Sequence, residues 1–187
     1  MVTETSESPR IILNADQIQQ KIRRIAYEIY ERNFKDQQLI LAGIVDRGFA
    51  LAERIGHELN AISHFKYEGS PSSPDAHTEA SLQLVKIHLE KFTEKQCEVK
   101  LDYPIEQLDG KRIILVDDVL NTGRTLAYSM RPFLERNISQ MEIAVLVNRS
   151  HSKFPVVANY TGYELATTLE EHIEVILDGK TDAVHLK

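Results

Sequence analysis

Apolar residues recur along this chain with two different periods, and the changes between them predict its elements. From Asn14 onward, Ile18, Ile22, Ile25, Ala26 and Ile29 share one face of a 3.6-residue repeat. That spacing predicts an amphipathic helix ending near Asn33. Asn14 suits its cap, with Gln17 three residues on to complete a capping box. Lys21, Arg24, Glu28 and Arg32 lie off the stripe, where solvent accounts for them. Residues 39–45 are apolar without alternation, as in a strand buried on both faces. A second helix follows on Leu51, Ile55 and Leu59. Residues 67–80 are rich in Gly, Ser and Pro and predict a loop. Residues 82–89 alternate and predict a strand, whereas residues 90–103 are charged and aperiodic. After the turn at 108–111 comes a buried strand from residue 112. A helix then follows on Leu126, Met130, Phe133 and Leu134, and another buried strand over 141–147. The chain closes on two strands, 173–177 and 183–186. They are joined through Asp178-Gly179-Lys180, a hairpin signal with a loop longer than two residues.

Composition narrows the class. At 187 residues the chain suits one domain with a sizeable core. We place the core at about 11–147 and a smaller unit at about 148–187, leaving open a contribution to it from the N-terminal segment. A net charge of −6 and a pI near 5.7 do not support a broad nucleic-acid surface. The single cysteine, Cys97, excludes an internal disulfide framework, and nothing around it marks a nucleophile. No apolar run is long enough to span a bilayer, so no membrane role is expected. Residues 1–10 are polar and read as a frayed terminus without a signal region. A cytoplasmic protein is the expectation. No internal repeat is visible.

The candidate chemistry is concentrated in R-I-I-L-V-D-D-V-L-N-T-G-R-T, residues 112–125. A strand runs into adjacent carboxylates, Asp117 and Asp118. A loop with a glycine between two threonines follows, then a helix. Loop N–H groups at a helix start suit a phosphate. Two carboxylates at a strand end suit vicinal hydroxyls or a hydrated magnesium ion. A sugar 5-phosphate is the ligand implied. Upstream, Asp46-Arg47-Gly48 occupies a second strand-to-helix loop. There glycine permits close backbone approach, and the arginine fork suits a diphosphate. A bland turn with a surface arginine explains those three residues about as well.

The 112–125 stretch resembles the phosphoribosyl diphosphate (PRPP) motif of the type I phosphoribosyltransferases. The resemblance implies an α/β fold, with a mainly parallel sheet flanked by helices and a small C-terminal hood. It implies that Asp117 and Asp118 hold the ribose hydroxyls and, through water, Mg2+. It implies that Asn121, Thr122, Gly123, Arg124 and Thr125 hold the 5-phosphate. L-A-G-I-V-D-R-G is similar to the family's diphosphate loop, which gives Asp46, Arg47 and Gly48 that role. A flexible loop closes over the sugar in the family at the place of residues 90–103. Lys91, Lys95 and Lys100 can reach phosphate there, although a solvated loop accounts for each lysine. A homodimer or larger homo-oligomer is also implied.

V-L-V-N-R-S-H-S-K-F-P-V-V-A-N-Y-T-G is similar to the base-binding hood of the PyrR branch, uracil phosphoribosyltransferases that double as pyrimidine-operon attenuators in some bacteria. The likeness covers most of the chain outside about 61–103. It implies base contacts at Asn148, Arg149 and Tyr160, with Tyr160 stacking on the ring. Two positions depart from the 6-oxopurine transferases: Asn121 replaces an aspartate that can take the base's proton, and Asn148 replaces a lysine that donates to the purine oxygen. An amide cannot accept that proton at neutral pH. Asn148 also departs from the PyrR branch's aspartate and Asn121 from its tyrosine, and the branch's Y-R-D-D is missing before Tyr103. The expected activity is Mg-dependent transfer of ribose 5-phosphate from PRPP to a base, with uracil favoured and a purine as the alternative. The rival is a nucleotide-sensing regulator that binds RNA, which the acidic balance does not favour.

Overall fold

In this computed structural model the described residues are 10–33, 38–62, 66–67, 81–90, 98–149, 152–166 and 171–187. Strand β1 (Arg10–Asn14) leads into helix α1 (Ala15–Asn33), and β2 (Gln38–Ile44) leads into α2 (Arg47–Ile62). Then come β3 (Lys66–Tyr67), β4 (Ser81–Leu89), β5 (Val99–Leu101) and β6 (Arg112–Leu120). Two short helices follow, α3 (Arg124–Ser129) and α4 (Arg131–Leu134), and after them β7 (Gln140–Asn148) and β8 (Tyr160–Glu164). β9 (Ile173–Ile176) and β10 (Ala183–Leu186) complete the chain.

The large sheet runs β3-β4-β2-β6-β7-β8 with every neighbour parallel, and β5 adds antiparallel to β4. Its central strands lack alternation because both faces are covered. Leu39, Leu41, Ile114, Val116, Ala144 and Leu146 pack in the layer of α1 and α2. Their neighbours Ile40, Ala42, Ile113, Leu115, Ile143 and Val145 pack in the opposite layer with Leu126 of α3 and Phe133 of α4. The smaller sheet, β1-β10-β9, is antiparallel and draws on both ends of the chain.

Helix α1 forms as its pattern predicts. The Asn14 Oδ1 accepts from the Gln17 N–H at 2.9 Å, and the Gln17 Oε1 accepts from the Asn14 N–H at 3.0 Å. This reciprocal box satisfies two donors that a helix start leaves open. All five stripe residues are fully buried.

Four expectations need correction. Arg10 is not in a frayed tail, because β1 pairs with β10 from the far end of the chain. The helix after the motif breaks into α3 and α4, because Pro132 has no N–H to continue the ladder. Leu134 is consequently 69% exposed rather than buried. The motif strand continues through the aspartates to Leu120. The charged stretch 90–103 contains β5, and Asp102 anchors to β4 through both its N–H and its carboxylate. Lys91, Lys95, Cys97 and most of the 67–80 loop lie outside the described residues. Among the described residues no helix is long and apolar enough to cross a membrane.

Candidate active site

The site forms where β2, β6 and β7 end together, the edge at which open α/β sheets bind ligands. β6 supplies its floor. Asp117 is 8% exposed, and its Oδ1 accepts from the Asp118 N–H at 3.0 Å. The Asp118 Oδ1 accepts from the Val119 N–H at 3.0 Å. Burial, and after it the charge of Asp118, push the Asp117 carboxyl well above the usual carboxylate range.

The 121–125 loop leaves β6 at once. Gly123 takes φ +79° and caps α3. A Cβ at that position would meet the Val156 Cβ at 3.2 Å. The Thr122 Oγ1 accepts from the Arg124 N–H at 3.3 Å. The Thr122 carbonyl accepts from the N–H groups of Lys153 and Phe154 at 2.9 and 3.1 Å, so the β7–β8 connection braces the loop from outside. Asp117, Asn121, Thr122, Gly123 and Thr125 line one small cleft. Arg124 is not among the residues that line this cleft, and its guanidinium lies 5.7 Å from the centre of the Tyr128 ring. With six residues, α3 is too short for a large dipole, so an anion held here would rest on loop N–H groups.

The second loop meets the same cleft. The Val45–Asp46 peptide is cis, and Arg47 and Gly48 begin α2. A Cβ on Gly48 would come within 2.7 Å of the Val116 carbonyl oxygen and 3.0 Å of the Asp117 Cα. Only glycine lets the first turn of α2 lie this close to the acidic strand. The half-exposed Arg47 places Nη1 3.8 Å from the Asp118 Oδ2. Asp46, Arg47, Gly48, Asp117 and Asp118 thus line one continuous recess.

The third wall comes from β7 and from the start of β9. Arg149 is 4% exposed; its Nη2 donates to the Glu171 carbonyl at 2.7 Å and its Nη1 to the Asn121 Oδ1 at 3.4 Å. Arg149, His172 and Ile173 face Arg47, Asp118 and Asn121 across a cleft of about 180 Å³. Sequence reasoning found Arg149 and missed His172 and Ile173. Nothing local marks those two; β9 brings them to the cleft. Asn148 pairs with Leu120 and Glu164 at the end of β7, next to that wall.

Tyr160 does not stack in the cleft. It is fully buried, donates through its hydroxyl to the Glu142 Oε2 at 2.8 Å and accepts from the Asn33 Nδ2 at 3.1 Å. Burial, then Glu142, raise its phenol far above the ordinary value. This corrects the expected base contact: position 160 opens β8 opposite Ala144, in mid-sheet and away from the carboxyl edge. Lys100 is also accounted for, paired with Glu90 and Glu98.

The described residues contain no group of three or more His, Cys, Asp or Glu side chains that could hold a metal ion. Two adjacent carboxylates at the cleft floor do fit Mg2+, which is commonly bound through one or two carboxylates, water and substrate phosphates.

The family description "Phosphoribosyl transferase domain" matches residues 10–178. The chain is 32% identical to a bifunctional protein PyrR of Fusobacterium nucleatum over 185 residues, covering 95% of this chain and 97% of that protein. It is 33% identical to a bifunctional protein PyrR of Bacillus mycoides over 168 residues, 89% of each chain. In fold it is similar to a hypoxanthine phosphoribosyltransferase of Staphylococcus aureus, with a TM-score of 0.71 at 14% identity, covering 94% of this chain and 90% of that one. A hypoxanthine-guanine phosphoribosyltransferase of Bacillus anthracis gives a TM-score of 0.69 at 15% identity, covering 96% of this chain and 98% of that one. These matches establish that the chain belongs to the phosphoribosyl transferase family and is a phosphoribosyltransferase.

Proposed function

We propose that this phosphoribosyltransferase transfers ribose 5-phosphate from PRPP to uracil, giving UMP and diphosphate. The observation that carries the choice of base is Asn121, whose side-chain oxygen faces the Arg149 guanidinium at the junction of the phosphate loop and the third wall. An amide here cannot receive the proton that a 6-oxopurine gives up. Asn148, in place of a lysine, removes a donor for the purine oxygen. The similarity to two proteins named PyrR supports the same choice.

The residues divide the work. The 121–125 loop holds the 5-phosphate, and Asp117 and Asp118 hold the ribose hydroxyls. Arg47 and the Gly48 backbone face the diphosphate. Base nitrogen attacks C1, the bond from C1 to the diphosphate oxygen breaks, and the nitrogen's proton passes to the departing diphosphate or to solvent. Positive charge builds on the ribose above the acidic pair while negative charge builds on the departing diphosphate near Arg47. Positioning and fixed charge supply the catalysis. Asp117 and Asp118 would hold Mg2+ through water, and the ion would supply neutralisation of the diphosphate charge.

A panel of bases with PRPP and magnesium, read as diphosphate release, tests this. Uracil is expected to exceed hypoxanthine and guanine by about tenfold or more, the scale of a purine oxygen left without its donor at position 148, at about 1–3 kcal/mol. Efficient purine turnover without uracil activity would overturn the choice of base and leave the PRPP site standing.

A second reading, a nucleotide-sensing RNA-binding regulator, is favoured by the word "bifunctional" in the names of both PyrR relatives. Filter binding to RNA across a salt series, with and without UMP, separates it. UMP-dependent RNA binding supports this second role; binding at the non-specific level alone removes it.

A further inference from the structure

Helix α2 contacts the turn of the hairpin that forms the third wall and faces the hairpin's open end across the cleft. Its first turn carries Arg47 at the cleft. Arg54 lies on the same face two turns later, about 10 Å along the axis at ~1.5 Å per residue. There its Nη1 pairs with the Asp182 carboxylate, and its Nη2 donates to the Gln19 Oε1 of α1 at 2.8 Å. Gln19 in turn donates to the Glu58 Oε1 at 2.8 Å. The ion pair is sheltered, with the side chains of Arg54 and Asp182 25% and 6% exposed.

Asp182 closes the β9–β10 turn. Its Oδ1 accepts from the Gly179 N–H at 2.8 Å. Asp178 accepts from the N–H groups of Lys180 and Thr181 at 2.7 and 2.6 Å and from the Thr181 hydroxyl at 2.7 Å. The turn is braced internally. The other end of the hairpin is the cleft wall, where His172 and Lys187 exchange backbone hydrogen bonds of 2.7 and 2.9 Å. The hairpin therefore runs beside α2, with its open end level with Arg47 and its turn level with Arg54.

Ile173, Val175 and Val184 bury the inner face of the hairpin in the core. Burial is non-directional: it holds the hairpin down without fixing its position along α2, and the β1–β10 ladder registers the hairpin to β1 rather than to α2. A charge-assisted hydrogen bond is directional and does fix it. We infer that Arg54 and Asp182 are positioning residues, whose ion pair sets the base-side wall, His172 and Ile173, in register with Arg47 and the acidic pair. The inference rests on the proposed reading only in seating the base against that wall.

Calorimetry with UMP and with ribose 5-phosphate tests it in Asp182→Asn, Arg54→Lys and the double variant. Each single variant is expected to bind UMP about tenfold more weakly, with ribose 5-phosphate affinity within about twofold of the parent. The double variant should be no weaker than the worse single one, because both break the same contact. In turnover, KM for the base should rise while KM for PRPP holds. Equal loss for both ligands, or unchanged UMP affinity, overturns the inference. Melting curves accompany each protein, and Arg54→Lys, which keeps the charge, serves if Asp182→Asn does not fold. Should the parent bind GMP more tightly than UMP, the uracil reading falls, and GMP against ribose 5-phosphate then tests the wall in the same way.

Discussion

Asp117→Asn combined with Asp118→Asn is expected to lower PRPP-dependent turnover at least about a thousandfold while leaving the fold intact. Removing one preorganised group that stabilises transition-state charge commonly costs about a hundredfold to a thousandfold, and here two are removed. Amides keep the shape and most hydrogen bonds of the acids, so the loss isolates charge. Stability should move the other way. Burial and the neighbouring Asp118 raise the Asp117 carboxyl in the folded protein, so between its unfolded and folded values the native state binds more protons. Its contribution is then fully present below the ordinary carboxylate range and is lost as pH rises through the raised folded value. Asparagine at 117 cannot ionise, so the loss at higher pH disappears. Without metal or PRPP, the Asp117→Asn variant should gain about 0.5–2 kcal/mol at pH 8, as active-site replacements commonly do. The gain should shrink as pH falls. Near-normal turnover in a folded double variant would sink the assignment of the acidic pair.

The parts of the site legible in the sequence were those whose residues are neighbours along the chain. Asp117, Asp118 and the 121–125 loop form one strand end, and their chemistry reads off a dozen consecutive residues. Arg47-Gly48 was half legible: the loop could be seen, but not that Gly48 must clear the Val116 carbonyl. Contacts set by distant parts of the chain were invisible. Tyr160 was assigned to the base from its place in the chain, while its actual partners, Glu142 and Asn33, come from β7 and the end of α1. β1 finds its partner at the opposite terminus, and His172 and Ile173 reach the cleft only because the β9–β10 hairpin folds beside α2. The continuous apolar runs foretold a doubly covered sheet, because that demand acts on every residue of a central strand. Pro132 lies inside the span that the helical spacing predicted as one helix, and there backbone chemistry prevailed over periodicity.

Gly123→Val is expected to weaken binding of ribose 5-phosphate at least about tenfold in a protein that still folds. Two effects act together at this position. Gly123 sits at φ +79°, where a side chain is strained, and a β-branched one most of all. The strain is on the order of 1–3 kcal/mol. A Cβ would also press on the Val156 Cβ at 3.2 Å, in the segment braced against Thr122. The loop relieves both by changing shape, and its shape aims the N–H groups at the phosphate. Each ~1.4 kcal/mol of lost alignment is a factor of ten in affinity. Gly110→Val supplies the control, because Gly110 has a similar φ of +75° with nothing within 4 Å of its would-be Cβ. It pays the backbone strain away from the cleft, so it should melt lower and bind ribose 5-phosphate as the parent does. Calorimetry on the three proteins separates strain from cradle geometry. Parent-like affinity in folded Gly123→Val would place the phosphate outside the 121–125 loop, and equal weakening in both variants would assign the loss to general destabilisation.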